Sequence, residues 1–220
     1  ASPYDYIVAE VSSFQLETIG RFHPWFAAVL NITTDHMDRY DAPADYAAAK
    51  ARIFDNQSEG DIALLNLDDE RVAAMRPSIR ARVMGFSRSE LAGRGVGEGI
   101  AWDGKRVIAT FTGRTEAVCR REEIRLPGSH NLANAMAATA VGLSCRCPMA
   151  TVREALHDFP GIEHALEAVR ERRGVRFVND SKGTNVDAVL KALESFDEPI
   201  VLIAGGRDKG GDFERLRDAV

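Results

Sequence analysis

An α/β fold built on a mostly parallel sheet is predicted by the order of the local patterns. Short apolar runs with the character of buried strands alternate with stretches of helical periodicity through the first half of the chain. Polar loops rich in Asp, Asn, Thr and Gly follow several of those runs, as they do at the strand ends of open α/β sheets. Late in the chain, two apolar runs flanking a helical pattern repeat the arrangement of a parallel crossover. We therefore expect one domain over residues 1–170 and the opening of a second α/β domain over 171–220.

Taken in order, residues 6–9 (Tyr-Ile-Val-Ala) read as a strand, 27–30 as a second, 46–54 as a helix, and 62–65 and 82–86 as further strands. The Gly-rich stretch 93–127 carries alternating patterns, and Asp103-Gly104 is a type I′ turn signal, so hairpins are expected there. Helices follow at 131–141, where alanines suit close packing, at 149–158 and at 163–173. A strand at 175–178, a helix at 186–195 and a strand at 200–204 form the predicted crossover. Residues 213–220 read as the first turns of a helix that stops without a Gly or Pro signal. No Met, basic stretch or signal-peptide apolar region precedes residues 6–9, so the sequence reads as a piece of a longer protein.

The composition, 45% hydrophobic and 28% charged, is that of a soluble globular chain. Lys and Arg number 28 against 33 Asp and Glu, and the net charge of −5 argues against a phosphate-backbone binder. No apolar run reaches the length of a membrane span. Cys119, Cys145 and Cys147 have no framework spacing, which fits a reducing compartment, and the close pair has no second pair to complete a zinc site. Neither the G-x-x-x-x-G-K-[ST] phosphate loop nor a G-x-S-x-G nucleophile turn occurs.

Four loops and one helix start carry the density of chemistry. Glu10 follows a strand run and is placed to reach a metal or a phosphate, or else simply ends an edge strand in solvent. Asp35, His36 and Asp38 follow the next run and suit a hard cation or a nucleotide, although either Asp can equally cap a helix. Asn131 and Asn134 are three apart, hence on one helix face beside its N-terminus; capping by Ser129 or Asn131 is the plainer alternative. Asn179-Asp180-Ser181-Lys182-Gly183-Thr184-Asn185 and the loop 205–211, which includes Lys209, end successive strands with cations suited to a carboxylate or phosphate. Lys50, by its position alone, reads as an ordinary exposed helical lysine.

Together these stretches resemble the Mur ligase family. The resemblance rests on Glu10-Val11-Ser12-Ser13-Phe14-Gln15-Leu16-Glu17, the run from Leu30 to Tyr40, Gly128-Ser129-His130-Asn131-Leu132-Ala133-Asn134, and the 179–185 loop, in that order. It implies a P-loop-like central ligase domain, here without its P-loop segment, followed by the start of a Rossmann-like C-terminal domain. It further implies a cytoplasmic, monomeric enzyme that uses ATP and Mg²⁺ to join D-glutamate to UDP-N-acetylmuramoyl-L-alanine in peptidoglycan precursor synthesis. Glu10, His36 and a carbamylated Lys50 are then the metal ligands, since a carbamate turns a cation into an anionic oxygen donor. Asn131, Asn134 and Asp180 are implied nucleotide contacts, and Lys182, Thr184 and Lys209 implied glutamate contacts.

Two positions depart from the family pattern. His164-Ala165-Leu166-Glu167 has alanine where the family commonly carries an arginine directed at ATP, so either another arginine such as Arg207 substitutes or turnover is weakened. Gly183 replaces a more usual alanine and should matter little. The expectation is a ligase when complete and inactivity of residues 1–220 alone. A non-catalytic nucleotide-binding or structural remnant is the second reading, motivated by Ala165 and both abrupt ends, and a sibling ligase for another amino acid is the third.

Overall fold

A computed structural model of the chain describes residues 4–33, 39–206, 212–217 and 219. Six strands form one sheet in chain order: β1 (Phe26–Val29), β2 (Ile62–Asn66), β3 (Arg82–Ser87), β4 (Gly99–Trp102), β5 (Arg106–Phe111) and β6 (Arg114–Arg120). The first four run parallel, and β5 and β6 return antiparallel. Strand β2 shows why the sheet sits centrally. Its Ile62 and Leu64 join Met84, Phe86 and Ile100 on one face, while Ala63 and Leu65 join Ala27 and Val29 on the other. Alternate side chains of a strand point to opposite faces, so a wholly apolar run demands cover on both.

That cover comes from helices. On the first face lie α4 (Ser129–Ser144), through Leu132, Met136 and Ala140, and α5 (Met149–Asp158), through Val152. On the second lie α2 (Pro43–Ala51), through Tyr46, and α3 (Glu70–Ala73), through Val72. A short helix α1 (Ser13–Leu16) begins with a reciprocal cap, in which the Ser12 hydroxyl accepts from the Gln15 amide and Gln15 Oε1 accepts from Ser12 N at 2.9 Å. Beyond α5 come β7 (Glu167–Arg172) and β8 (Val175–Asn179), paired antiparallel, and α6 (Val186–Leu193), capped by Asn185. All three cysteines are free, with Cys119 buried and Cys145 and Cys147 half-buried just past α4. No helix among the described residues is long and apolar enough to cross a membrane.

The sequence reading and the structure differ at five places. Residues 6–9 form no strand, and Val8 is 92% exposed, because no partner strand lies beside them among the described residues. The turn joining β4 to β5 is centred on Gly104-Lys105 instead of Asp103-Gly104: Asp103 N donates to Arg106 O at 3.1 Å, and Gly104 alone of the pair has positive φ. Asp103 stays in the ordinary region because its carboxylate accepts from the amides of Lys105 and Arg106. The predicted helix at 163–173 is the strand β7, turned into β8 through Arg173 and Gly174, both at positive φ. Two left-handed residues make the turn whose twist suits a hairpin, and Arg-Gly is a weaker cue for it than Asn-Gly. Among the described residues the predicted parallel crossover is not formed: β8 pairs with β7 alone and residues 200–204 lie in no ladder, with Val201 90% and Ile203 94% exposed. The terminal helix expected from residue 213 is a 3₁₀ turn over Phe213–Leu216.

Candidate functional site

Parallel strands deliver their C-terminal ends to one edge, and at that edge β2 organises its neighbours. Asn66, its last residue, donates from Nδ2 to Leu30 O at 2.8 Å. Asp69 divides its carboxylate: Oδ1 accepts from the amides of Arg71 and Val72 and so starts α3, while Oδ2 accepts from Ile32 N at 2.8 Å. Arg71 returns a bond from Nη1 to Ile32 O at 3.1 Å. The backbone that leaves β1 towards His36 is therefore fixed at its root by side chains from another loop. Beside it, Asp68 accepts from Ser87 Oγ at 2.6 Å and Arg88 N at 2.7 Å. Burial pushes its carboxyl up, and these hydrogen bonds outweigh that effect and hold it below the usual range. A cleft of about 610 Å³ opens here, lined by Asp68, Arg88, Arg94, Trp102 and Ser129.

A second cluster gathers around Glu17. Its Oε2 accepts from Arg39 Nη2 at 2.5 Å and its Oε1 from the Tyr40 hydroxyl at 2.6 Å. The Arg39 and Tyr40 hydrogen bonds hold the Glu17 carboxyl below the usual range, while burial pushes the Tyr40 phenol up. Arg39 lies over the Phe14 ring at 5.0 Å, and Phe14 stacks on Tyr40 with centroids 6.1 Å apart and planes inclined by 8°. Tyr40 packs on Tyr46 at 5.3 Å, and Lys50 Nζ sits 5.2 Å from the Tyr46 ring centre. From the turn after α2, Arg52 donates to the carbonyls of Glu17 and Ile19.

Of the metal candidates, Glu10 is exposed three residues ahead of α1, and Lys50 is half-buried near the end of α2. His36, with Asp35 and Asp38, lies outside the described residues. Among the described residues no three His, Cys, Asp or Glu side chains converge on a common point. The donor chemistry still suits a hard cation, since Glu10 offers a carboxylate to solvent and a carbamylated Lys50 would offer anionic oxygen.

Asn131 and Asn134 do share a face of α4, as their spacing predicts, with Asn134 Nδ2 donating to Asn131 Oδ1 at 3.3 Å. Asn131 Nδ2 bonds back to Pro127 O at 2.7 Å, and neither Ser129 nor Asn131 caps the helix, whose cap position is Gly128.

Asp180 accepts from Leu166 N at 3.0 Å, and Lys182 N donates to His164 O at 2.9 Å. Ala165 thus lies in a linker held by the loop expected to meet the nucleotide, and both its neighbours, His164 and Leu166, have positive φ. Such backbone is costly for residues with side chains and persists only where neighbours enforce it. The side chains of Lys182 and Thr184 are exposed, and Lys209 lies outside the described residues. His130 lies in the first turn of α4: burial first, and the charge of Lys191 on α6 second, push its imidazole below the usual value, while Asp180 and Glu194 act in the opposite sense. Its Nδ1 is buried with no hydrogen-bond partner among the described residues.

Sequence reasoning missed Asn66, Asp69, Arg71, Glu17, Arg39 and Tyr40 as participants. Glu17, Arg39 and Tyr40 stand inside the stretches that carry the resemblance, which was the available signal; the other three show none locally.

The Mur ligase middle domain matches residues 1–142 of this chain. The UDP-N-acetylmuramoylalanine--D-glutamate ligase of Pelotomaculum thermopropionicum is 51% identical over 97% of this chain and 46% of its own length. The ligase of the same name from Clostridioides difficile is 42% identical over 96% of this chain and 46% of its own. The chain thus spans about half the length of the curated relatives it matches. Among solved structures, MurF from Acinetobacter baumannii superposes with a TM-score of 0.59 at 20% identity, over 79% of this chain and 38% of that one. UDP-N-acetylmuramate-alanine ligase MurC from Thermotoga maritima gives 0.54 at 20% identity, over 84% and 40%. At that identity the likeness speaks for the fold.

Proposed function

The chain belongs to the Mur ligase family, and from that premise we propose that its protein joins D-glutamate to UDP-N-acetylmuramoyl-L-alanine with ATP. Residues 1–170 act as the ATP-binding domain and 171–220 as the opening of the domain that presents the amino acid. The enzyme works in the cytoplasm as a monomer, supplying a peptidoglycan precursor. The observation that carries this reading is the sequence shared with D-glutamate ligases through nearly the whole chain.

In the proposed reaction a substrate carboxylate oxygen attacks the γ-phosphorus of ATP, giving an acyl phosphate and ADP. The glutamate amine then attacks the acyl carbon, loses a proton, and expels phosphate through a tetrahedral intermediate to leave an amide. Anions meet at each step, so the groups that hold them must be fixed before the reaction. Glu10, His36 and carbamylated Lys50 would hold Mg²⁺, which when bound offsets the charge of the phosphates facing the carboxylate. Asn131 and Asn134 present amides to the nucleotide at the start of α4, and Asp180 meets it from the second unit. Lys182, Thr184 and Lys209 orient the incoming glutamate through its carboxylates. The linker at 164–166, bonded to Asp180 and Lys182, governs how that unit approaches and excludes water from the acyl phosphate.

The test is a hybrid enzyme in which these 220 residues replace the matching stretch of the Pelotomaculum thermopropionicum ligase. Substrate-dependent ADP release with incorporation of labelled D-glutamate is expected. ATP turnover or binding without amide formation would instead favour the remnant reading, which rests on Ala165 in place of a phosphate-directed arginine. Residues 1–220 alone, which contain no phosphate-loop pattern, are expected to form no ADP.

A further inference from the structure

We infer that the link from α4 to α5 is a binding site for a soft monovalent cation of the copper(I) kind, held by the thiolates of Cys145 and Cys147 and the thioether of Met149. The inference is independent of the ligase reading. Residues 145–148 join the two helices, and from Cys145 to the first residue of α5 the chain reads Cys-Arg-Cys-Pro-Met. Cys145, Cys147 and Met149 are half-buried, whereas Arg146, Pro148 and Ala150 are exposed. Every second side chain thus turns inward, and each one that does so carries sulfur.

The backbone makes this pattern. Helix α4 ends in a tight reversal, in which Arg146 N donates to Leu143 O at 3.0 Å and Cys147 N to Gly142 O at 2.9 Å, with Arg146 at a φ of 61°. The reversal folds Cys147 back over the last turn of the helix, where a Cβ on Gly142 would lie 4.0 Å from the Cβ of Cys147. Gly142 and Cys145 are three apart in the chain, hence on one helix face, so both cysteines lie against the same patch. Their proximity shows in the Cys145 thiol: burial first, and the charge of Cys147 second, push it up, while a hydrogen bond from Tyr6 acts in the opposite sense. Pro148 stands at the cap of α5, and Met149, its first residue, packs against the same core as Cys147.

The donors select the metal. Thiolate and thioether are soft ligands that favour copper(I) over hard cations, and two thiolates are too few for the four-coordinate shell of zinc. The position suits a positive ion as well, since it lies at the C-terminal end of the 16-residue helix α4. On binding, each cysteine gives up its proton to solvent and its sulfur forms a bond to the metal. Copper remains copper(I), no electron is transferred, and the cation offsets the repulsion between the two thiolates.

The experiment offers copper(I), held by a colorimetric chelator under anaerobic reducing conditions, to the 220-residue chain. A single equivalent is expected to pass to the protein, with a sulfur-to-copper charge-transfer band in the ultraviolet, and added zinc is expected not to displace it. Cys145→Ser and Cys147→Ser are each expected to weaken binding by about a hundredfold and Met149→Leu by about tenfold, with Cys119→Ser unchanged. In the unsubstituted chain, bound copper is expected to shield both Cys145 and Cys147 from alkylation, read by mass spectrometry. That readout decides the matter even where a variant fails to fold. No transfer from the chelator overturns the inference, as does transfer that Cys145→Ser or Met149→Leu leaves unchanged. Shielding of only one of the two cysteines overturns it too.

Discussion

The sheet edge built by β1 to β3 and the stretch from β7 to residue 206 both present polar loops after apolar strands, yet they are held together differently. In the first, every strand is covered on two faces and the loops are pinned by side chains reaching backbone groups far away in sequence, as Asp69 reaches Ile32. In the second, Val169, Val175 and Phe177 remain about half exposed, Val201 and Ile203 almost wholly so, and the 180–182 loop is held chiefly to the linker at 164–166. Burial on both faces fixes strand pairing, and fixed strands make loop geometry reproducible. Where that cover is lacking, apolar sequence alone does not produce a ladder.

The largest expected effect tests the contrast in packing. Leu64→Ala, at a fully buried site, should cost about 3 kcal/mol in urea unfolding. Phe177→Ala should cost under about 1 kcal/mol, and equal losses would break the comparison. Next in size, Asp69→Ala removes a helix cap and the anchor on Ile32 together, for a loss of about 2 kcal/mol, whereas Asp180→Ala should lose about half of that or less, read by the same unfolding curves.

Acid titration sharpens the difference further. Asp68 has a folded-state pKa below its unfolded one, so its contribution is whole above the unfolded value and disappears as the pH falls through the folded value. Asp68→Asn should therefore flatten the acid limb of the stability curve; an unchanged limb would count against the Ser87 and Arg88 bonds. The smallest effect concerns His130, where α4 meets α6. Its folded pKa lies below the unfolded one, so in the folded protein the neutral ring is favoured, and the stability present above the unfolded value of about 6.5 declines as the pH falls towards the folded value. His130→Gln should remove that mild slope, measured as thermal midpoint against pH.

Legibility in the sequence followed the same division. The apolar runs at 62–65 and 82–86 and the helix at 149–158 appear where periodicity puts them, because a two-sided core rewards what the pattern encodes. The stretches 6–9 and 200–204 look equally strand-like, but pairing depends on neighbours that no local window contains. In the candidate site, the shared face of Asn131 and Asn134 follows from helical spacing. The grip of Asp69 on Ile32 and of Glu17 on Arg39 and Tyr40 joins residues distant along the chain, and only folding brings those partners together.

The cysteines give the molecule a use as a gauge. Cys119 is buried, with burial pushing its thiol up to about 11, so a thiol-directed dye at neutral pH would leave it unmodified. Cys145 and Cys147 are half-buried just beyond the C-terminal end of α4, whose opposite end carries Asn131 and Asn134. A helix of 16 residues spans about 24 Å, within the working range of resonance energy transfer. A fluorophore placed there would test whether a labelled nucleotide comes to the other end of the same helix, as proposed, without any residue being added to the chain.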